Sequence, residues 1–167
     1  MKMMKLAAFL LIAGVFIAGC KHDPYGLGTA TANNITMSGA QEVPEVPTTA
    51  TGTIQASYNR DTRTLEYTVS WTGLTGPAAA MHIHGPADPG TNAGILQNII
   101  ATGSISGGAT IANPGTAYGT SGNISARAFV DNVVIKESDL LAGKYYINIH
   151  TAKYPGGEIR GNLIFTQ

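Results

Sequence analysis

Alternation of apolar and polar residues is the dominant pattern of this chain. The clearest run is residues 65–71, whose apolar positions are Leu65, Tyr67, Val69 and Trp71. A β-strand places successive side chains on opposite faces, so this run predicts a strand with one face in the core. Residues 53–58 alternate in the same way, and the polar residues 59–63 between the two runs predict a hairpin.

The rest of the chain shows more short β-like segments and little helical periodicity. Further strands are predicted at residues 35–41, 79–84, 95–101, 124–130, 144–151 and 158–165. Residues 136–143 indicate one helical turn that ends at a glycine, and the Gly/Ser/Thr-rich residues 102–122 predict a long loop or a weak edge hairpin. Short strands between Gly/Pro turns predict an all-β single domain, an antiparallel β-sandwich or barrel of the Ig-like or superoxide-dismutase-like Greek-key type.

The N-terminal residues predict export rather than folding. Lys2 and Lys5 precede an apolar run at 6–18, which has the layout of a secretory signal and is shorter than a typical membrane-spanning helix. The run ends in Ile17-Ala18-Gly19-Cys20, which resembles the bacterial lipobox, whose cysteine is lipidated and becomes the mature N-terminus. We therefore predict a signal peptide at 1–19, a lipidated Cys20 with a tether at 20–34, and a β-domain at 35–167. An ordinary signal peptide with an unrelated cysteine is the alternative.

Composition excludes several kinds of site and one class of partner. Cys20 is the only cysteine, so disulfides, zinc-cysteine sites and cysteine nucleophiles are excluded from the mature domain. The formal net charge is +0 and only 12% of residues are charged, without a basic run, so nucleic acid is not a predicted partner.

The predicted partner is a membrane, reached through the lipid on Cys20. The predicted location is the bacterial cell envelope, extracytoplasmic, in the periplasm or at the cell surface.

Three of the four histidines lie in predicted strands. His82 and His84 are two residues apart and therefore share a face, and His150 ends another strand. Imidazole is a ligand for zinc and copper, and three imidazoles form a platform with an open coordination position. His82, His84 and His150 therefore predict a site for one transition metal ion, copper or zinc.

A hairpin through residues 154–157 makes the last two predicted strands neighbours. If Ile149 pairs with Ile159, Glu158 lies beside His150. There its carboxylate can accept a hydrogen bond from the ring nitrogen of His150 that does not bind the metal. The alternative is structural: His82 and His84 cap the backbone near Gly85-Pro86, and His150 pairs with Glu158.

The remaining charged residues are not predicted to belong to a functional site. Arg160, opposite Asn148 in this register, is predicted to form an exposed cross-strand charge pair with Glu158. Glu42 and Glu45 flank prolines and are predicted to be solvated loop residues. No Gly-x-Ser-x-Gly elbow is present, so a serine nucleophile lacks support.

A set of separated motifs resembles one known family. The motifs are Glu42-Val43-Pro44, Thr51-Gly52, residues 65–71, His82-Ile83-His84-Gly85-Pro86-Ala87, Leu141-Ala142-Gly143, residues 145–151 and Gly157-Glu158-Ile159-Arg160-Gly161. In this order they resemble the CHRD domain, named after chordin and common in bacterial secreted proteins, over residues 35–165. The resemblance implies an extracellular β-domain. The growth-factor antagonism of chordin belongs to separate cysteine-rich domains, which this chain lacks.

A more remote resemblance concerns the histidines alone. In copper/zinc superoxide dismutases, a His-x-His pair and a late histidine on another strand bind copper, and His82, His84 and His150 are similar in type and order. The chain lacks a further histidine for a bridging position. Two functions follow: a binding module for a metal ion, an envelope protein or a glycan, which we favour, and a copper or other metal-dependent redox enzyme.

Overall fold

The computed structural model describes residues 28–100 and 119–166. The predicted signal peptide, Cys20, the tether up to residue 27 and most of the predicted loop at 102–122 lie outside these ranges. Within them, no helix has both the length and the hydropathy that crossing a bilayer requires.

The described chain folds into eight strands with very little helix. The strands are β1 Thr29–Ser38, β2 Thr51–Asn59, β3 Thr64–Thr72, β4 Ala80–His84, β5 Ile95–Ile100, β6 Gly122–Phe129, β7 Tyr146–His150 and β8 Ile159–Asn162. A 3-10 turn spans Gly39–Gln41, and the short helix α1 spans Glu137–Leu141. Every predicted strand is present, and α1 lies within the predicted helical turn at 136–143.

All eight strands belong to one antiparallel sheet in the order β5-β4-β7-β8-β1-β2-β3-β6. The two outermost strands approach each other, since Gln97 Nε2 on β5 donates a hydrogen bond to the Arg127 carbonyl on β6 at 3.4 Å. The sheet therefore curls into a nearly closed, barrel-like form. Strands β3 and β6 are neighbours although β4 and β5 lie between them in sequence, as in Greek-key arrangements. The all-β, antiparallel, single-domain prediction is confirmed.

The alternating positions form the core. The apolar side chains of the predicted strand at 65–71 are all buried, as are Met81 and Ile83 of β4 and Ile147 and Ile149 of β7. The β7–β8 register is the predicted one, with Ile149 opposite Ile159 and Asn148 opposite Arg160. Burial of one face of β4 and β7 directs their histidines to the other face.

Strand β1 begins earlier than predicted. Thr29 pairs with Asn59 and Ala32 with Ala56, so residues 29–32 of the predicted tether extend the sheet. The buried side chains in this stretch are the alanines at 30 and 32, whose small size gives a weak apolar signal. An irregularity follows between Ala32 and Ile35, where Asn34 adopts a φ of 57°. This interruption hides the alternation on which the prediction of a strand depends.

Candidate metal centre

The three predicted histidines converge. Strands β4 and β7 are hydrogen-bonded neighbours, with Ala80 opposite His150 and His82 opposite Asn148. One ring nitrogen from each of His82, His84 and His150 lies within 4.8 Å of the others. The ring centroids are 4.6 Å apart for His82 and His150 and 5.5 Å apart for His82 and His84. The residues that the sequence proposed for one site therefore lie together on one face of the sheet.

Backbone carbonyls set the orientation of two of these imidazoles. His84 Nδ1 lies 2.9 Å from the Ala93 carbonyl, and His150 Nδ1 lies 2.9 Å from the Pro155 carbonyl. A carbonyl only accepts hydrogen bonds, so in the neutral imidazole each Nδ1 carries the proton and each Nε2 carries the lone pair. His84 Nε2 is buried without a hydrogen-bond partner. This is the arrangement by which proteins orient metal-binding histidines.

His82 completes the group by a hydrogen bond between imidazoles. His82 Nδ1 lies 2.9 Å from His150 Nε2. Because Nε2 of His150 carries the lone pair, Nδ1 of His82 donates the proton. An ion that uses His150 Nε2 must replace this bond, and His82 must then offer a lone pair by moving its proton or turning its ring. His82 is the half-buried member of the three, which leaves it the most room to do so.

Burial keeps the cluster uncharged. Burial, and after it repulsion from the neighbouring His150 and His84 when these are charged, lowers the pKa of His82 to about 4. Burial also lowers the pKa of His84 and of His150, against the opposing effect of their carbonyl partners. Neutral imidazole is the form that coordinates metals, so at neutral pH the three histidines are in the charge state that coordination requires.

An aromatic and cationic layer lies behind His84. The Tyr146 ring stacks on His84 with centroids 4.8 Å apart and planes 4° from parallel, and Arg160 Cζ lies 3.4 Å from the Tyr146 centroid. Arg160 donates to the Thr91 carbonyl at 3.0 Å and to Asn92 Oδ1 at 3.3 Å. The predicted exposed charge pair is therefore wrong for Arg160, which is fully buried. The connection between β4 and β5 covers this face of the sheet, which an alternating pattern does not reveal.

Glu158 is likewise fully buried, and threonines surround it. Its carboxylate accepts hydrogen bonds from Thr48 Oγ1 at 2.8 Å, from Thr75 N and Oγ1 at 2.9 and 2.8 Å, and from Thr151 Oγ1 at 2.7 Å. Burial favours the neutral acid, but these donors outweigh it and lower the pKa of Glu158. His150 bonds to Pro155 and not to Glu158, so the alternative His150–Glu158 pair does not form. Support of His150 by Glu158 stays a prediction, and it would act through the backbone bond from Glu158 N to the Ile149 carbonyl.

Glu42 is the residue that sequence reasoning missed. Its side chain is only 7% exposed, so the prediction of a solvated loop residue is wrong, while Glu45 is exposed as predicted. Burial raises the pKa of Glu42 to about 7, although the Arg160 charge and a hydrogen bond from Asn148 lower it. Gly157, at a φ of 128°, packs directly against Glu42 Oε1, where a larger residue would collide. Nothing in the local sequence marks this contact, because it joins residues far apart in the chain.

One comparison with known proteins bears on this domain. The model of the CHRD domain family matches residues 34–163, which include β-strands from both ends of the sheet and all three histidines of the cluster. No curated protein and no solved structure matches the chain. The family match covers most of the sequence and agrees with the motifs found in it, so the chain belongs to the CHRD domain family.

Proposed function

We propose that the domain is an extracytoplasmic binding module that holds one transition metal ion, copper or zinc, between His82, His84 and His150. The observation that carries the proposal is the pair of carbonyl-oriented imidazoles, which leaves a lone pair on Nε2 of His84 and of His150 in a cluster whose three ring nitrogens lie within 4.8 Å of one another. The buried His84 Nε2, which makes no hydrogen bond of ordinary length although the Asn148 side chain lies near the ring, supports a role as a ligand.

The spacing of the nitrogens suits such an ion. Nitrogen ligands about 2.0–2.1 Å from a tetrahedral ion lie about 3.3 Å from one another. The largest separation in the cluster is 4.8 Å, so small side-chain rotations bring all three nitrogens to this distance. Neutral nitrogen ligands without thiolates suit both zinc and copper. With three protein ligands, a fourth position stays open for water or another ligand.

Titration calorimetry with zinc and with copper tests the proposal. Wild-type protein is expected to bind one ion per chain, and His84→Ala or His150→Ala should weaken binding at least tenfold because each removes one of three ligands. His22→Ala, outside the described residues, is the matched control and should bind as wild type does. Absence of binding by the wild-type protein, or wild-type affinity in both cluster variants, would show that the histidines are structural.

The proposed location rests on the N-terminal sequence. The apolar run and Ile17-Ala18-Gly19-Cys20 support lipidation of Cys20, which would hold the domain on a membrane of the bacterial envelope. Replacing Cys20 with Ser should release the protein into the soluble fraction if the signal is still cleaved, or leave it in the membrane with an uncleaved signal. Unchanged membrane recovery of C20S with a cleaved signal would contradict the anchor without affecting the metal site.

A metal-dependent redox enzyme is the second candidate. It is favoured by the open coordination position and by the partial exposure of His82, through which a small molecule would reach the ion. Dismutase and peroxidase assays of the copper-loaded protein, with His82→Ala as control, distinguish the two functions. Turnover that H82A abolishes supports the enzyme, and tight metal binding without turnover supports the binding module.

A further inference from the structure

The first strand, β1, begins at one end of the barrel, and we call this end the entry end. Gly28 accepts a hydrogen bond from Arg60 N at 3.2 Å, and Thr29 pairs with Asn59. The β2–β3 turn at residues 60–63 therefore lies at the entry end. The β7–β8 turn, which contains Lys153, lies at the opposite end, because β8 begins beside the far end of β1, where Ser38 pairs with Arg160.

The connection that follows β6 also lies at the entry end. Phe129, the last residue of β6, pairs with Thr64, and Val130 N donates to the Arg63 carbonyl at 2.8 Å. Three apolar side chains here face solvent: Phe129 is 51% exposed, Val133 is 77% exposed and Val134 is 47% exposed.

Two more exposed apolar residues share this end. Ile164 is 51% exposed and lies two residues before Thr166, which bridges to Thr31 near the start of β1. Ile95 is 53% exposed and lies two residues before Gln97, whose side chain donates to the Arg127 carbonyl, two residues before Phe129.

The entry end thus holds five of the six large apolar side chains that are exposed in the described part of the chain. The sixth is Val43, on the loop after the 3-10 turn. Scattered exposed apolar residues are ordinary on soluble proteins, but a concentration at one end marks an interaction surface.

Two of these residues, Val133 and Val134, are held in place by a carboxylate. Asp131 Oδ1 accepts hydrogen bonds from the backbone N–H groups of Val133 and Val134 at 2.8 Å and of Ile135 at 3.2 Å. Ile135 is buried, whereas the two valines before it are directed outward. A fixed turn presents apolar side chains at lower entropic cost than a flexible loop, as a binding surface requires.

We propose that the entry end rests on the bilayer that holds the lipid anchor, with Val133, Val134 and Ile164 in contact with the membrane interface. The inference depends on the proposed lipidation of Cys20. Seven residues lie between Cys20 and Gly28, so the entry end would stay within about 30 Å of the membrane surface even at full extension. The bilayer is therefore the apolar partner that is always within reach of these side chains.

Environment-sensitive fluorophores on introduced cysteines test the proposal in the full, lipidated chain. Cys20 is the only cysteine, and lipidation blocks its thiol, so Val133→Cys, Ile164→Cys and Lys153→Cys each carry one label. Lys153 is an exposed control at the opposite end. The proteins are reconstituted in vesicles of phosphatidylethanolamine and phosphatidylglycerol. Emission and quenching by lipid-attached nitroxides are then measured.

Labels at 133 and 164 should show blue-shifted emission and at least twofold stronger quenching by the lipid nitroxides than the label at 153. Equal quenching at 153 and at either of the other two positions would overturn the proposal. Wild-type protein is the control for the anchor itself. If it reacts with the thiol label, Cys20 is not lipidated, and that result rejects the anchor rather than the orientation of an anchored domain.

Discussion

Replacing Glu42 with Gln should stabilise the protein at alkaline pH and leave it nearly unchanged in acid. In the folded protein the pKa of Glu42 rises from 4.5 to about 7, chiefly because the carboxyl group is buried. Between these values the folded state binds more protons than the unfolded state, so stability falls as the pH rises through this window. Gln cannot ionise and escapes this loss.

The magnitude follows from the displacement of the pKa. A shift from 4.5 to about 7 corresponds to about 3 kcal/mol, at about 1.4 kcal/mol per pH unit. Relative to wild type, Glu42→Gln should therefore gain about 3 kcal/mol of unfolding free energy between about pH 4.5 and about pH 8.5. The histidines also titrate in this range, but they do so in both proteins, and their contribution cancels in the difference.

Urea unfolding of both proteins, at the two pH values and with chelator present, measures this quantity. Glu45→Gln is the matched control for the loss of a carboxylate, since Glu45 is exposed on the same loop. A gain below about 0.5 kcal/mol for E42Q would refute the argument. It would mean that water or the Arg160 charge solvates the Glu42 carboxylate despite its burial.

Three further outcomes are expected. Because burial lowers the pKa of all three histidines, that of His82 to about 4, zinc or copper affinity should fall less between about pH 7 and about pH 5.5 than it would with imidazoles of pKa about 6.5, and calorimetry showing the full loss would contradict the desolvated cluster. Glu158→Ala should cost about 3 kcal/mol in urea unfolding, since it removes the shared acceptor of three threonine hydroxyls, one of them on the buried Thr151, and a cost below about 1 kcal/mol would contradict that role. Gly157→Ala should cost about 1–3 kcal/mol because of its φ of 128° and the contact with Glu42, whereas Gly156→Ala, in open space, should cost much less.

The strands and the histidine cluster were accessible from the sequence because both depend on local alternation. Apolar residues at every second position of β3, β4 and β7 determine which face is buried, and the opposite face then receives the histidines. The turn between β7 and β8 determines their register, so the pairing of Asn148 with Arg160 followed without a structure. Only the adjacency of β4 and β7 had to be assumed for the three imidazoles to meet.

The covering of that face could not be predicted in the same way. Alternation suggested a solvated outer side for β7 and β8, yet every residue of β7 is buried. The cover consists of loops distant in sequence, one contributing Thr91 and Asn92 and the other Glu42. Loop contacts leave no periodic signal, so the predicted environments of Arg160 and Glu42 were wrong while the positions of their strands were right.

The same loops explain why polar groups are buried beside the histidines. Ala93, whose carbonyl orients His84, also donates from its N–H to the Tyr146 hydroxyl at 3.2 Å. Its neighbour Asn92 accepts from Arg160 and donates to the Val43 carbonyl at 2.6 Å. Burying an arginine in such a network is costly and adds little net stability compared with an apolar core. The network instead holds one short loop segment from three sides, and that segment determines which nitrogen of His84 carries a lone pair. The buried charge is therefore better explained by the orientation of the proposed metal ligand than by the stability of the fold.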